Sequence, residues 1–97
     1  MIYVEVNFSV APKDRTAAVD CLTKEAPVMQ GLPGNRGCRV LVDPVADDAV
    51  TLLHQWDDLA SLDAYRTGPL FAQVGGVLRP MMTGAPSTVV YEASAIG

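Results

Sequence analysis

The 97-residue chain is poor in the residue types on which most enzymes depend. It holds one histidine, two cysteines and only six aromatic side chains: one Trp, three Tyr and two Phe. Such an inventory assembles no metal-ligand cluster, and the sequence has neither a Gly-rich phosphate loop nor a Ser/His/Asp spacing. A conventional hydrolase or metalloenzyme is disfavoured. No run of about 18 apolar residues occurs, so no transmembrane helix is expected. The start MIYVEVNFSV lacks the basic region of a signal peptide. Cys21 and Cys38, which could form at most one bridge, are then expected as reduced thiols in a cytoplasmic protein. Seven basic residues are scattered singly between Lys13 and Arg79 against eleven acidic ones, giving a net charge of −4. A nucleic-acid partner needs a clustered basic footprint, which is missing here, and a membrane partner is not expected either.

Apolar residues, by contrast, are in surplus: 49% of the chain, with a mean hydropathy of +0.22. The length fits one domain over residues 1–97. A folded monomer of this mass exposes roughly 5,400 Å² and buries about 64% of its unfolded surface. So modest a core leaves apolar residues to be hidden in an oligomer interface or a ligand pocket.

Residues 2–10 alternate strictly, with Ile2, Val4, Val6, Phe8 and Val10 on one face and Tyr3, Glu5, Asn7 and Ser9 on the other, which predicts a strand. Ala11-Pro12 opens a helix whose apolar stripe is Ala18, Leu22, Ala26 and Met29, and Pro27 is expected to kink it or end it early. Gly31-Leu32-Pro33-Gly34 is a stop and turn. A second strand around Cys38, Val40 and Val42 ends at Asp43-Pro44. A third spans Ala49 to Trp56, with Val50, Leu52, His54 and Trp56 on one face, so the two form a hairpin. Asp57 or Asp58 caps a short helix through Leu62 and Arg66. Gly68-Pro69 restarts a helix on Leu70, Phe71, Val74, Val77, Leu78 and Met81, and Ser87 to Ala93 form a fourth strand. The order βαββαβ predicts an α+β, ferredoxin-like fold: a four-stranded antiparallel sheet with helices on one face. The bare face is a ready dimer surface.

The chemistry has few carriers. His54 and Trp56 are two apart on a strand and project into the same layer. A core pair is the commoner arrangement; the functional one is a base beside an aromatic wall, suited to proton abstraction from a flat, weakly acidic substrate. Asn7 is either a solvent-facing strand residue or an amide donor to a ligand oxygen. Arg66 and Arg79 read as helix-end charges, and Gly75-Gly76 costs a helix about 1 kcal/mol per glycine.

Pro33-Gly34-Asn35-Arg36-Gly37-Cys38, the hairpin closing at Asp43-Pro44, the stretch from His54-Gln55-Trp56 through Ala60 to Ala64-Tyr65, and Gly68-Pro69-Leu70-Phe71 together resemble the antibiotic biosynthesis monooxygenase (ABM) family. That family's pattern is PGC, then a W-x-S/D-x-x-A-(F/L) helix ending in His or Tyr, then SPHF. The resemblance spans Tyr3 to Tyr91 and implies a dimeric α+β barrel, the sheets of two ferredoxin-like protomers packed face to face. It implies one of two activities, cofactor-free oxygenation of anthrones and quinols or heme degradation. Asn7 and Trp56 match the heme branch, but the iron-ligating histidine of that branch falls at Gly75, which disfavours it. The quinol and anthrone branch matches at Trp56, while its asparagine falls on Leu52, so Asn7 or His54 would have to activate oxygen. The resulting expectation is a homodimeric, cofactor-independent monooxygenase that oxidises a planar phenolic, quinol or anthrone-type substrate with O₂. In it His54 is the base, Trp56 the aromatic wall and Asn7 the donor, with Tyr65, Phe71, Met81 and Leu52 lining the pocket. The alternatives are a non-catalytic dimeric barrel that binds a small aromatic ligand, and an isomerase or cyclase on the same scaffold.

Overall fold

The computed structural model describes residues 1–97. Its elements are β1 (Ile2–Ser9), α1 (Arg15–Gln30), β2 (Asn35–Val42), β3 (Ala49–Trp56), α2 (Leu59–Arg66), α3 (Pro69–Leu78) and β4 (Ser87–Glu92), with single 3₁₀ turns at Pro12–Asp14 and Arg79–Met81. The strands form one antiparallel sheet in the order β2-β3-β1-β4. This is the ferredoxin-like arrangement expected from the element order. No helix is long and apolar enough to cross a membrane.

Alternation decides which face is buried. Ile2, Val4 and Phe8 of β1 and Val50, Leu52, His54 and Trp56 of β3 lie under the helices, and all are buried. Their neighbours Tyr3, Glu5, Asn7, Thr51, Leu53 and Gln55 lie on the other face, which no helix covers, and are half-buried. Register pairs Val4 with Val90 and Val6 with Thr88, so these β4 residues share the helix side. Yet every residue of β4 is exposed, because the helices stop short of that edge. The helical layer is therefore open above β4.

Pro27 does not end α1. The helix runs three residues past it to Gln30, because Met29 is buried and the Gln30 amide donates to the Cys38 carbonyl at 3.3 Å. Tertiary anchoring thus outweighs the lost hydrogen bond near the helix end. At the other end of the core, α2 begins where the Asp58 carboxylate accepts from the Ser61 N–H at 2.8 Å. The preceding turn meets it closely: the Asp57 N–H donates to the Gly34 carbonyl at 2.8 Å, and Arg36 pairs with Asp57.

Gly34 has φ +82°, and a Cβ there would overlap the Ser61 side chain. Gly76, exposed in the middle of α3, would place a Cβ in open space. Gly34→Ala is accordingly expected to destabilise the fold by about 1–3 kcal/mol. Gly76→Ala is expected to stabilise it by about 0.5–1 kcal/mol. Urea midpoints check the pair, and shifts of the same sign would contradict this geometry.

Candidate functional site

The gap between the sheet and α3 is a cleft of about 310 Å³. Its walls are apolar: Val4, Val6, Phe8 and Leu52 from the sheet, and Phe71, Val74 and Leu78 from α3 at helical spacing. The polar side chains reaching it are His54, Tyr65, Arg66, Arg79 and Thr88, and no carboxylate lines it. A second cavity of about 390 Å³ lies between Leu32-Pro33, α2 and the start of α3, and Tyr65 is the one residue that lines both.

Trp56 sits behind the cleft, not in it. It is fully buried and borders the second cavity, so the expected role of cleft wall passes to Tyr65 and Phe71. The Tyr65 ring stacks on Trp56 at 5.3 Å and meets Phe71 edge-on at 5.5 Å. His54 packs edge-on against both Trp56 and Tyr65, at 5.9 and 5.6 Å.

The decisive contact is between His54 and Trp56. The indole Nε1–H donates to His54 Nδ1 at 2.7 Å. An indole nitrogen can only donate, so Nδ1 must carry the lone pair and Nε2 the proton. Burial, helped by the Arg66 guanidinium, pushes the His54 pKa from 6.5 down to about 4. The ring is neutral near pH 7 and its only basic lone pair is taken. Nε2–H has no protein partner and is not sealed from solvent. His54 is therefore placed to donate a hydrogen bond into the cleft, which inverts the expected role of base. Burial also pushes the Tyr65 phenol up to about 12 and the Cys38 thiol up to about 11, so both stay protonated.

The other candidates divide. Leu52, Tyr65 and Phe71 line the cleft as expected. Met81 does not; it packs on the core from the 3₁₀ turn, and Met82 takes the lining position one residue on. Asn7 lies on the opposite face of the sheet from His54, where it accepts from the Thr51 hydroxyl at 2.5 Å and donates to Glu5 at 3.1 Å. Strand alternation carries it away from this protomer's cleft. Arg66 and Arg79 were not expected there, because the position of a charge at a helix end gives no sign of what the end overhangs. Gly75 faces the cleft with the Arg79 guanidinium folded over it. That position offers no iron ligand, and the one histidine points its free lone pair at Trp56, so these residues do not fit a heme. No group of three or more His, Cys, Asp or Glu side chains could hold a metal ion.

The neutral burial of His54 ties stability to pH. The unfolded chain takes up this proton near pH 6.5, and the folded one only near 4. Stability is expected to be intact above about pH 6.5 and to fall by about 3 kcal/mol as pH drops towards 4. Urea denaturation across that range measures it, and His54→Leu should flatten the curve. Asp43 and Asp58, held below their usual 3.8 by backbone hydrogen bonds, act mainly at lower pH. Nitrogen NMR of the single imidazole should show the neutral Nε2–H form at pH 7.

Residues 1–75 match the antibiotic biosynthesis monooxygenase family. Among solved structures, a Deinococcus radiodurans protein provisionally named an antibiotic biosynthesis monooxygenase superposes with a TM-score of 0.91 at 19% identity, covering 100% of this chain and 97% of its own. Another, named an antibiotic biosynthesis monooxygenase, gives 0.87 at 15% identity, with 98% and 100% covered. A conserved protein from Methanosarcina mazei gives 0.88 at 17%, with 96% and 92% covered. At these identities the likeness is one of fold. No curated protein matches the chain in sequence. With the family match extending from β1 through the cleft-facing residues of α3 to Gly75, the chain belongs to the antibiotic biosynthesis monooxygenase family.

Proposed function

We propose that the protein is a cofactor-independent monooxygenase that oxidises a planar phenolic, quinol or anthrone-type aromatic with O₂. The observation that carries this reading is the composition of the cleft: apolar walls, one neutral N–H donor at His54, flanking guanidinium groups and no carboxylate. Such a site favours the anion of a flat substrate over its neutral form. His54 Nε2–H donates to the phenolate or enolate oxygen, Arg66 supplies positive charge near it, and Tyr65 and Phe71 hold the rings. The anion is electron-rich enough to reduce O₂ directly; one oxygen atom enters the product and the other leaves as water, with the four electrons coming from the substrate. Because the His54 lone pair is engaged, the substrate proton passes to solvent through the open edge beside β4.

The bare sheet face supports a homodimer. The chain exposes 5856 Å², more than the roughly 5,400 Å² of a compact monomer of its mass. Val89 and Tyr91 are 40% and 45% exposed on that face, opposite Glu5 and Tyr3, with Leu53 one strand further on.

Oxygen uptake with anthrone as substrate tests the activity. His54→Leu is expected to lower kcat by about 10²-fold or more. His54→Gln should restore part of it, since an amide can accept from the indole and donate to the substrate. The rate should rise with pH towards the pKa of the substrate, with no inflection from His54 between 6 and 7. Undiminished turnover in both His54→Leu and Trp56→Phe would sink the assignment, and saturable binding without oxygen uptake would favour the non-catalytic reading. Sedimentation at micromolar concentration should give twice the 10.3 kDa chain mass, and Tyr91→Glu should shift it towards the monomer.

A further inference from the structure

The two cations of the cleft are not equivalent. Arg66 lies close enough to His54 to depress its protonation, whereas Arg79 has no such influence. Arg79 instead folds back along α3, its guanidinium carbon 3.5 Å from where a Cβ on Gly75 would stand. Phe71 marks the His54 and Tyr65 end of the cleft, and Gly75 lies one helical turn further on, about 6 Å along the axis. Arg79, Met82, Pro86 and Thr88 also line the cleft, Thr88 level with Val6, one pleat beyond the row of His54 and Val4.

Nothing in the chain neutralises Arg79. The only ion pair is Arg36 with Asp57, the Arg79 guanidinium donates no hydrogen bond within the protein, and the cleft has no acidic side chain. Arg79 is exposed at the helix end, yet its guanidinium is drawn back over Gly75, on the side of the helix that lines the cleft. Arg presents a planar fork that matches a carboxylate, and the Thr88 hydroxyl across the cleft can add a further donor.

We propose that the far end of the cleft is an anion subsite, in which Arg79 binds a carboxylate carried by the aromatic substrate on the side away from the oxygen to which His54 donates. The substrate class is thus a flat polycyclic phenol or enol bearing a carboxylic acid, and Arg79 determines its orientation. The inference rests on the aromatic-substrate reading of the cleft and adds the acid group to it.

Calorimetric titration of the full chain with anthraquinone-2-carboxylate and with anthraquinone-2-carboxamide tests it, since neither compound turns over. The acid is expected to bind about tenfold or more tighter than the amide. Arg79→Gln should bring the two affinities together while leaving the amide unchanged, whereas Lys24→Gln, an equal loss of charge on the exposed side of α1, should preserve the preference. The preference should also shrink as salt is raised. Equal binding of acid and amide to the unaltered protein, or a preference that survives Arg79→Gln, overturns the anion subsite and leaves the aromatic cleft standing. Binding of neither compound overturns both.

Discussion

A hydrogen bond between two side chains on one strand sets the chemistry of this protein. The Trp56 indole is fully buried, and its N–H would lose a hydrogen-bonding partner in an apolar layer; leaving such a donor unpaired costs about 1–3 kcal/mol. His54, two residues earlier on β3, projects into the same layer and accepts it at 2.7 Å. Once that bond is made, little freedom remains. The imidazole tautomer is fixed, the ring plane is held nearly perpendicular to the indole, and the proton-bearing nitrogen is left for the cleft. α2 must then cover the pair, which Tyr65 does by stacking on the indole and capping the imidazole edge.

The helical layer is built around that requirement. Thr67-Gly68-Pro69 breaks what would otherwise be one long helix, and a Cβ at Gly68 would stand only 3.0 Å from the Ala64 carbonyl. The close turn lets α2 lie over Trp56 while α3 sets off in a new direction across β1. Two cavities open as a result, one on each side of Tyr65. Three helices cannot cover four strands, and β4 is the strand left without a roof. The cleft is the space between α3 and that uncovered edge.

Much of this was legible in the sequence. β3 reads at its observed limits because Val50, Leu52, His54 and Trp56 alternate without a break, and an acidic cap at Asp57 or Asp58 is visible ahead of α2, Asp58 being the one that accepts from the Ser61 N–H. Alternation also puts Asn7 with Tyr3 and Glu5, and in the structure it bonds Glu5 and Thr51 on the sheet face opposite His54. Pro27 misled because local preference at a helix end yields to a buried Met29. Met81 and Met82 could not be told apart, since one residue decides which follows the 3₁₀ turn into the cleft. The role of His54 was beyond reach of pattern altogether: it depends on which ring nitrogen meets the indole, a matter of side-chain rotation, not of residue type.

Net charge was the least informative quantity, and the cleft shows why. The chain carries −4 overall, yet its cleft is lined by two arginines and no acid. Charges on the outer surface are screened within about 10 Å by ordinary salt, whereas apolar walls preserve the field of a cation beside them. In the proposed reaction an approaching aromatic anion would therefore respond to Arg66 and Arg79 more than to the acids elsewhere. The neutrality of His54 completes the arrangement. A protonated imidazole would be a charge buried among apolar side chains, which its own desolvation disfavours most and the neighbouring Arg66 disfavours further. The site instead keeps a neutral donor, and in the proposed reaction the substrate anion would supply the negative charge, so that burial of the imidazole and preference for an anion would follow from the same apolar enclosure.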